Sequence, residues 1–151
     1  MSKPKRKLNK DYVKAKISNL IENGRKEITT KEELEQFPIG SLISYMNKNN
    51  EFKIAGFITK FSDDYFIYIV PDFTQKYRVR YTNVIKMWVG DVYSVKKDII
   101  SFTKTSKNKT DFPVKLNNVI LYYAKHNFDK KRYMNTNKYE ISCKWIDYFN
   151  I

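Results

Sequence analysis

Residues 52–81 read FKIAGFITKFSDDYFIYIVPDFTQKYRVRY, and their spacing decides the fold class. Phe52–Phe61 (FKIAGFITKF) is one long run suited to a strand. Gly56 inside it predicts a bulge or sharp bend, because glycine weakens a strand interior and marks such irregularities. Ser62-Asp63-Asp64 is a turn. Tyr65–Val70 (YFIYIV) is apolar at every position, as a central strand covered on both faces must be. Pro71-Asp72 opens the next turn. Gln75–Tyr81 (QKYRVRY) then alternates, with Tyr77, Val79 and Tyr81 on one face and Lys76, Arg78 and Arg80 on the other.

The same period extends outward. Ser41–Met46 (SLISYM) precedes the long strand, across a polar turn at Asn47-Lys48-Asn49-Asn50. Val84–Val89 (VIKMWV) follows it and ends at Gly90-Asp91. Five short strands joined by tight polar turns predict an α+β protein built on a small antiparallel barrel over residues 38–102.

Upstream, residues 9–37 read as helices. Val13, Ile17, Leu20 and Ile21 form one stripe of a helix over residues 10–23, with Asn9 or Asp11 to cap it and Gly24 to stop it. Lys10, Lys14 and Lys16 lie mostly off that stripe. Thr30 and Glu33 have the spacing of a capping box for a short helix over residues 31–36, with Leu34 and Phe37 inward, and Pro38 ends it. Residues 1–8 are a basic arm, expected to be disordered. Residues 103–113 read as a linker or loop, and residues 114–151 as a basic, partly helical tail packed on the barrel. Within that tail Val119–Tyr123 (VILYY) fits strand or helix, and Lys138–Phe149 (KYEISCKWIDYF) leans to helix.

The Gly40-Ser41 entry, bulged second strand, Asp63-Asp64 turn and aromatic third strand resemble a Tudor-like barrel of the Src-homology-3 (SH3) type, over residues 39–93. Some barrels of that type cage a methylated lysine, and the resemblance assigns such a cage to Tyr45, Phe66, Tyr68 and Trp88 with Asp63 or Asp64. The Lys/Asn/Ile/Tyr-rich composition, with Lys31–Tyr45 (KEELEQFPIGSLISY) and Lys86–Tyr93 (KMWVGDVY), is similar to small uncharacterised proteins of large DNA viruses with AT-rich genomes. That likeness implies a virion or virus-factory protein and no reaction.

Chemistry is constrained by what is scarce. One histidine, His126, and one cysteine, Cys143, sit in no nucleophile or metal motif, and four glycines make no phosphate loop. The expectation is therefore no enzyme, no metal and no cofactor. The carboxylate pairs Glu32-Glu33 and Asp63-Asp64 have sufficient local roles in a helix start and a turn. No run reaches the roughly 18 apolar residues of a membrane span. A basic start with no apolar run after it points to an intracellular protein, in nucleus, virus factory or particle, and not a secreted one.

Charge is abundant. The chain of 151 residues carries 29 Lys/Arg against 16 acids, net +13. It is unevenly placed: nine bases and two acids in residues 1–26, ten of each in 27–100, and ten bases and four acids in 101–151. Basic ends around a neutral middle favour a polyanionic partner, DNA or RNA, over uniform codon drift. The candidate contacts are Lys5, Arg6 and Lys7; Lys76, Arg78 and Arg80; and Lys130, Lys131 and Arg132. The middle set forms a row about 13 Å long at roughly 3.3 Å per residue, able to track a phosphate backbone. The competing explanation is that these cations protect a sheet edge. Tyr77 and Trp88 are candidates for base stacking, and further aromatics, Tyr122 and Tyr123 among them, flank bases in the tail. The alternative function is a structural or interaction module, a virion component included, whose barrel docks a protein and whose basicity is incidental.

Overall fold

The computed structural model describes residues 10–105 and 112–126. They form an α+β fold. The elements in chain order are α1 (Lys10–Glu22), β1 (Lys26–Ile28), α2 (Lys31–Leu34), β2 (Leu42–Asn47), β3 (Phe52–Phe61), β4 (Tyr65–Ile69), β5 (Lys76–Arg80), a single 3-10 turn (Tyr81–Asn83), β6 (Val84–Gly90), α3 (Lys96–Thr105) and α4 (Phe112–His126).

The strands make one six-stranded antiparallel sheet in the order β1-β6-β2-β3-β4-β5. Two expectations are corrected here. There are six strands rather than five, because the three residues Lys26–Ile28 pair with Val89, Trp88 and Met87 of β6. A three-residue strand carries too little alternation to be read from sequence. The sheet is also open rather than closed into a barrel. β1 takes the second edge of β6, and among the described residues β5 pairs with β4 alone and forms an edge.

The two faces of the sheet feed two cores. One gathers Ile43, Tyr45, Ile58, Phe66, Tyr68, Val79 and Val89 under Leu34 and Ile39. The other joins Leu42, Phe57 and Ile69 to Val95, Ile99, Phe112, Leu116 and Ile120 of the C-terminal segments. Each fully buried aliphatic or aromatic side chain contributes roughly 1.5–3 kcal/mol. The alternation of β4 explains its apolar run: Phe66 and Tyr68 serve the first core, while Ile69 serves the second.

Local rules hold where short-range chemistry decides. The capping box forms: the Glu33 amide donates to Thr30 Oγ1 at 3.2 Å, and the Thr30 amide donates to Glu33 Oε1 at 3.2 Å. Gly24 ends α1 with φ +103°, and a Cβ there would lie 1.8 Å from the Ser94 carbonyl oxygen. On α1, Val13, Ile17 and Leu20 are half-buried, whereas Ile21 is exposed.

The irregularity expected in β3 is present, but its parts are shared between two residues. Pairing with β2 shifts register between Ile43 and Tyr45, and the left-handed conformation falls on Ala55, φ +57°. Gly56 serves close approach instead, since a Cβ there would lie 2.1 Å from the Ile69 carbonyl oxygen.

The stretch expected as a linker begins inside α3, and Phe112 and Pro113 open α4. The ambiguous Val119–Tyr123 is helical, within α4. The expected arm at residues 1–8 and the stretch Lys138–Phe149 lie outside the described residues.

Candidate nucleic-acid interface

β5 carries the cationic row. Residues directly opposed across a ladder share a face. Arg80 opposes Tyr65, Arg78 opposes Ile67 and Lys76 opposes Ile69. Ile69 lies under the helical layer, whereas Tyr65 and Ile67 are only half-buried. The helices therefore cover the Lys76 end of this face and leave the Arg78–Arg80 end open. Lys76, Arg78 and Arg80 are all exposed, while Val79 between them turns into the core.

None of the three makes an ion pair with an acid among the described residues. Two of them lean on rings instead. The Lys76 ammonium lies 5.0 Å from the Tyr123 ring centroid, and the Arg78 guanidinium 5.2 Å from that of Tyr65. Such contacts contribute about 0.5–1 kcal/mol at exposed sites and leave the charge available to solvent.

Lys60 joins the row. It opposes Ile67 from the β3 side, so Lys60, Ile67 and Arg78 lie in a line across three strands. The sequence reading missed it because a second register shift, between Ile58 and Lys60, puts it on this face. No alternation rule locates that shift. The Tyr65 phenol reports the local field. Its pKa is held below the ordinary value by a hydrogen bond from Ser62 first, then by the nearby charges of Lys60 and Arg78.

The other candidates divide. Tyr77 is exposed, its ring 5.6 Å from that of Tyr68 and its hydroxyl hydrogen-bonded to the Gln75 side chain. Trp88 is corrected: it is 1% exposed, packs 5.6 Å from Phe52 and donates from Nε1 to Glu27 Oε1 at 3.0 Å. It has no ring face to offer a base. The methyl-lysine cage is corrected for the same reason. Tyr45, Phe66, Tyr68 and Trp88 are all buried, with Tyr45 and Phe66 in edge-to-face contact inside the first core, and Asp63 stands in solvent. Lys5, Arg6, Lys7, Lys130, Lys131 and Arg132 lie outside the described residues, as does Cys143.

One base of the N-terminal third is structural. Arg25 is 5% exposed; it donates to Ser44 Oγ at 2.8 Å and to the Trp88 carbonyl at 3.4 Å, and pairs with Asp98 at 3.4 Å. Burial pushes its pKa down, and the Asp98 charge opposes that.

Among the described residues, no cluster of three His, Cys, Asp or Glu is placed to hold a metal, and no helix is long and apolar enough to cross a membrane.

Uncharacterized protein L7 of Acanthamoeba polyphaga mimivirus is 57% identical over 145 residues, 96% of this chain and 94% of that protein. The chain belongs to this mimivirus family. Uncharacterized protein L57 of the same virus is 56% identical over 128 residues, 85% of this chain and 70% of that protein. Uncharacterized protein L6 is 54% identical over 138 residues, 91% of this chain but 63% of that protein, so the family includes longer members. The likeness to proteins of a large DNA virus, read from composition and two short stretches, is thus established. No family model and no solved structure matches the chain.

Proposed function

We propose that this protein binds nucleic acid without sequence preference and without catalysis, by laying the phosphate backbone along Lys76, Arg78 and Arg80 with Lys60 beside them. The observation that carries the reading is the combination of exposure and missing acid partners: three exposed cations and the half-buried Lys60 share one face of the sheet, and none is ion-paired among the described residues. Cations that only blunt a sheet edge have no need of Lys60, which lies two strands inward. The basic ends, Lys5, Arg6 and Lys7 and then Lys130, Lys131 and Arg132, add further phosphate contacts. Sequence tolerance follows from the chemistry. Cations set along a sheet meet phosphates, whereas base reading needs donors delivered into a groove.

The succession β2 to β6, with its 3-10 turn before β6, supports viewing the scaffold as an opened relative of SH3- and Tudor-like barrels. Mimivirus kinship supports a place in the virus factory or the particle.

Salt titration of binding to random duplex and single-stranded oligonucleotides is the test. Each phosphate contact contributes about 0.9 to the log–log salt slope on duplex and about 0.7 on single strands. Replacing Lys76, Arg78 and Arg80 together by alanine lowers the slope by about 2 to 3. Stability falls by no more than about 1 kcal/mol per site, the worth of the ring contacts that Lys76 and Arg78 lose. Absence of binding at 50 mM salt, or a slope untouched by the triple variant, overturns the proposal.

A further inference from the structure

Resting on that reading, we infer that the strand taken is single, and that its bases stack on Tyr77 and Tyr122 at the corner where β5 begins and α4 ends. Large apolar side chains exposed one at a time are ordinary. These two are not isolated. Tyr77 is 46% and Tyr122 54% exposed; Tyr77 is the second residue of β5, and Tyr122 reaches the same end of the cationic row through Tyr123. The Lys76 ammonium lies 5.0 Å from the Tyr123 ring, and the Tyr123 ring lies 4.9 Å from that of Tyr122, edge to face. Tyr77 neighbours Lys76 on the strand and packs 5.6 Å from Tyr68, in the core cluster against which Tyr123 also packs. The phosphate-binding cation thus has Tyr122 one ring beyond its Tyr123 contact, and Tyr77 next to it along the edge strand on the opposite face.

That juxtaposition suits a single strand and not a duplex. In a duplex the bases are stacked on one another and show only their edges in the grooves. A flat phenol beside the backbone then finds no ring face. A single strand offers one ring face per nucleotide, next to the phosphate that Lys76 holds, and every base has one, so sequence stays unread. The rings are also braced: Tyr77 by Tyr68 and the Gln75 side chain, Tyr122 by Tyr123. Braced aromatics lose little rotamer freedom on binding.

The test uses the full chain at 50 mM salt and three probes of equal length: oligo(dT), an abasic deoxyribose-phosphate oligomer, and a random duplex. Wild-type protein is expected to prefer oligo(dT) over the abasic strand by about tenfold per stack. A Tyr77→Leu/Tyr122→Leu variant, which keeps apolar bulk, loses that preference and holds duplex affinity within about twofold. Tyr122→Ser alone, at the more exposed site, loses about tenfold on oligo(dT). Equal wild-type affinity for oligo(dT) and the abasic strand overturns the inference while leaving phosphate binding in place. So does an equal loss on single strand and duplex. Failure to bind any of the three probes overturns the underlying proposal together with this one.

Discussion

The two margins of the sheet use the same residue types for opposite ends. At the β1–β6 margin each described cation bond has an acid, a hydroxyl or a carbonyl at its far end. Arg25 joins Asp98, Ser44 and the Trp88 carbonyl, and Lys86 lies 3.8 Å from Glu27, the carboxylate that also takes the Trp88 indole proton. At the β4–β5 margin Lys76, Arg78 and Arg80 face solvent, and the first two touch rings. A net charge counts both kinds alike. What separates a structural cation from a binding one is its partner: a buried guanidinium must be paired to be tolerated, whereas an exposed row without acids keeps its field for an incoming anion.

The largest effect expected from breaking this comparison is at Arg25. Arg25→Ala takes the partner from Asp98 and opens a cavity beside Ser44, whose hydroxyl keeps its bond to the Ile54 carbonyl, and removal of one partner from a buried pair costs about 3–5 kcal/mol. Arg25→Met, which fills the space, costs less than Arg25→Ala, because apolar volume replaces part of what is lost. Denaturant unfolding measures both. Nucleic-acid affinity of the folded variants stays at the wild-type value. A loss under about 1 kcal/mol for Arg25→Ala, or a matching fall in affinity, erases the distinction between the margins.

Much of this arrangement is legible in the sequence where alternation or short-range chemistry decides. The β4–β5 register follows from YFIYIV and QKYRVRY, and the capping box from Thr30 and Glu33. Three things are not legible, each for a physical reason. β1 is three residues long and exists because β6 offers it an edge. Lys60 reaches the basic face through a register shift that only the fold defines. Arg25 is of a type that suits a surface and Trp88 of a type that suits either a surface stack or a core, yet both are buried, each bonded to a partner far along the chain, Asp98 and Glu27. Sequence reveals which face a residue occupies within its own strand and leaves open what lies over that face.

Lys60 and Lys86 sharpen the comparison at a single charge. Both are lysines of the sheet, one unpaired among the described residues and one beside Glu27. Lys60→Ala is expected to lower the salt slope of duplex binding by about 0.9 and to weaken binding severalfold at low salt. Lys86→Ala is expected to leave the slope unchanged and to shift stability by less than about 1 kcal/mol, the ordinary worth of an exposed pair. Equal slopes for the two variants remove the role assigned to Lys60.

The smallest expected effect is spectroscopic and lies within one strand. Tyr65 and Tyr68 sit on opposite faces of β4, and their phenols are displaced in opposite directions. Ser62, Lys60 and Arg78 hold Tyr65 below the ordinary value of 10.0. Burial first, then the neighbouring Tyr45 and Tyr77, pushes Tyr68 up to about 12. In an ultraviolet titration of tyrosinate, Tyr65→Phe therefore removes amplitude from the early part of the curve, and Tyr68→Phe from the last. The sign for stability follows from linkage. A group whose folded pKa is raised favours the fold fully below its unfolded value, so the Tyr68 contribution is intact below about pH 10 and is lost as pH rises toward 12. Tyr68→Phe flattens that loss. Lys60→Ala, by removing a positive neighbour, moves Tyr65 back toward 10 and leaves Tyr68 where it is. A Tyr65 step that ignores Lys60 places that lysine off the basic face, and the two sides of β4 then no longer differ in the way the binding proposal requires.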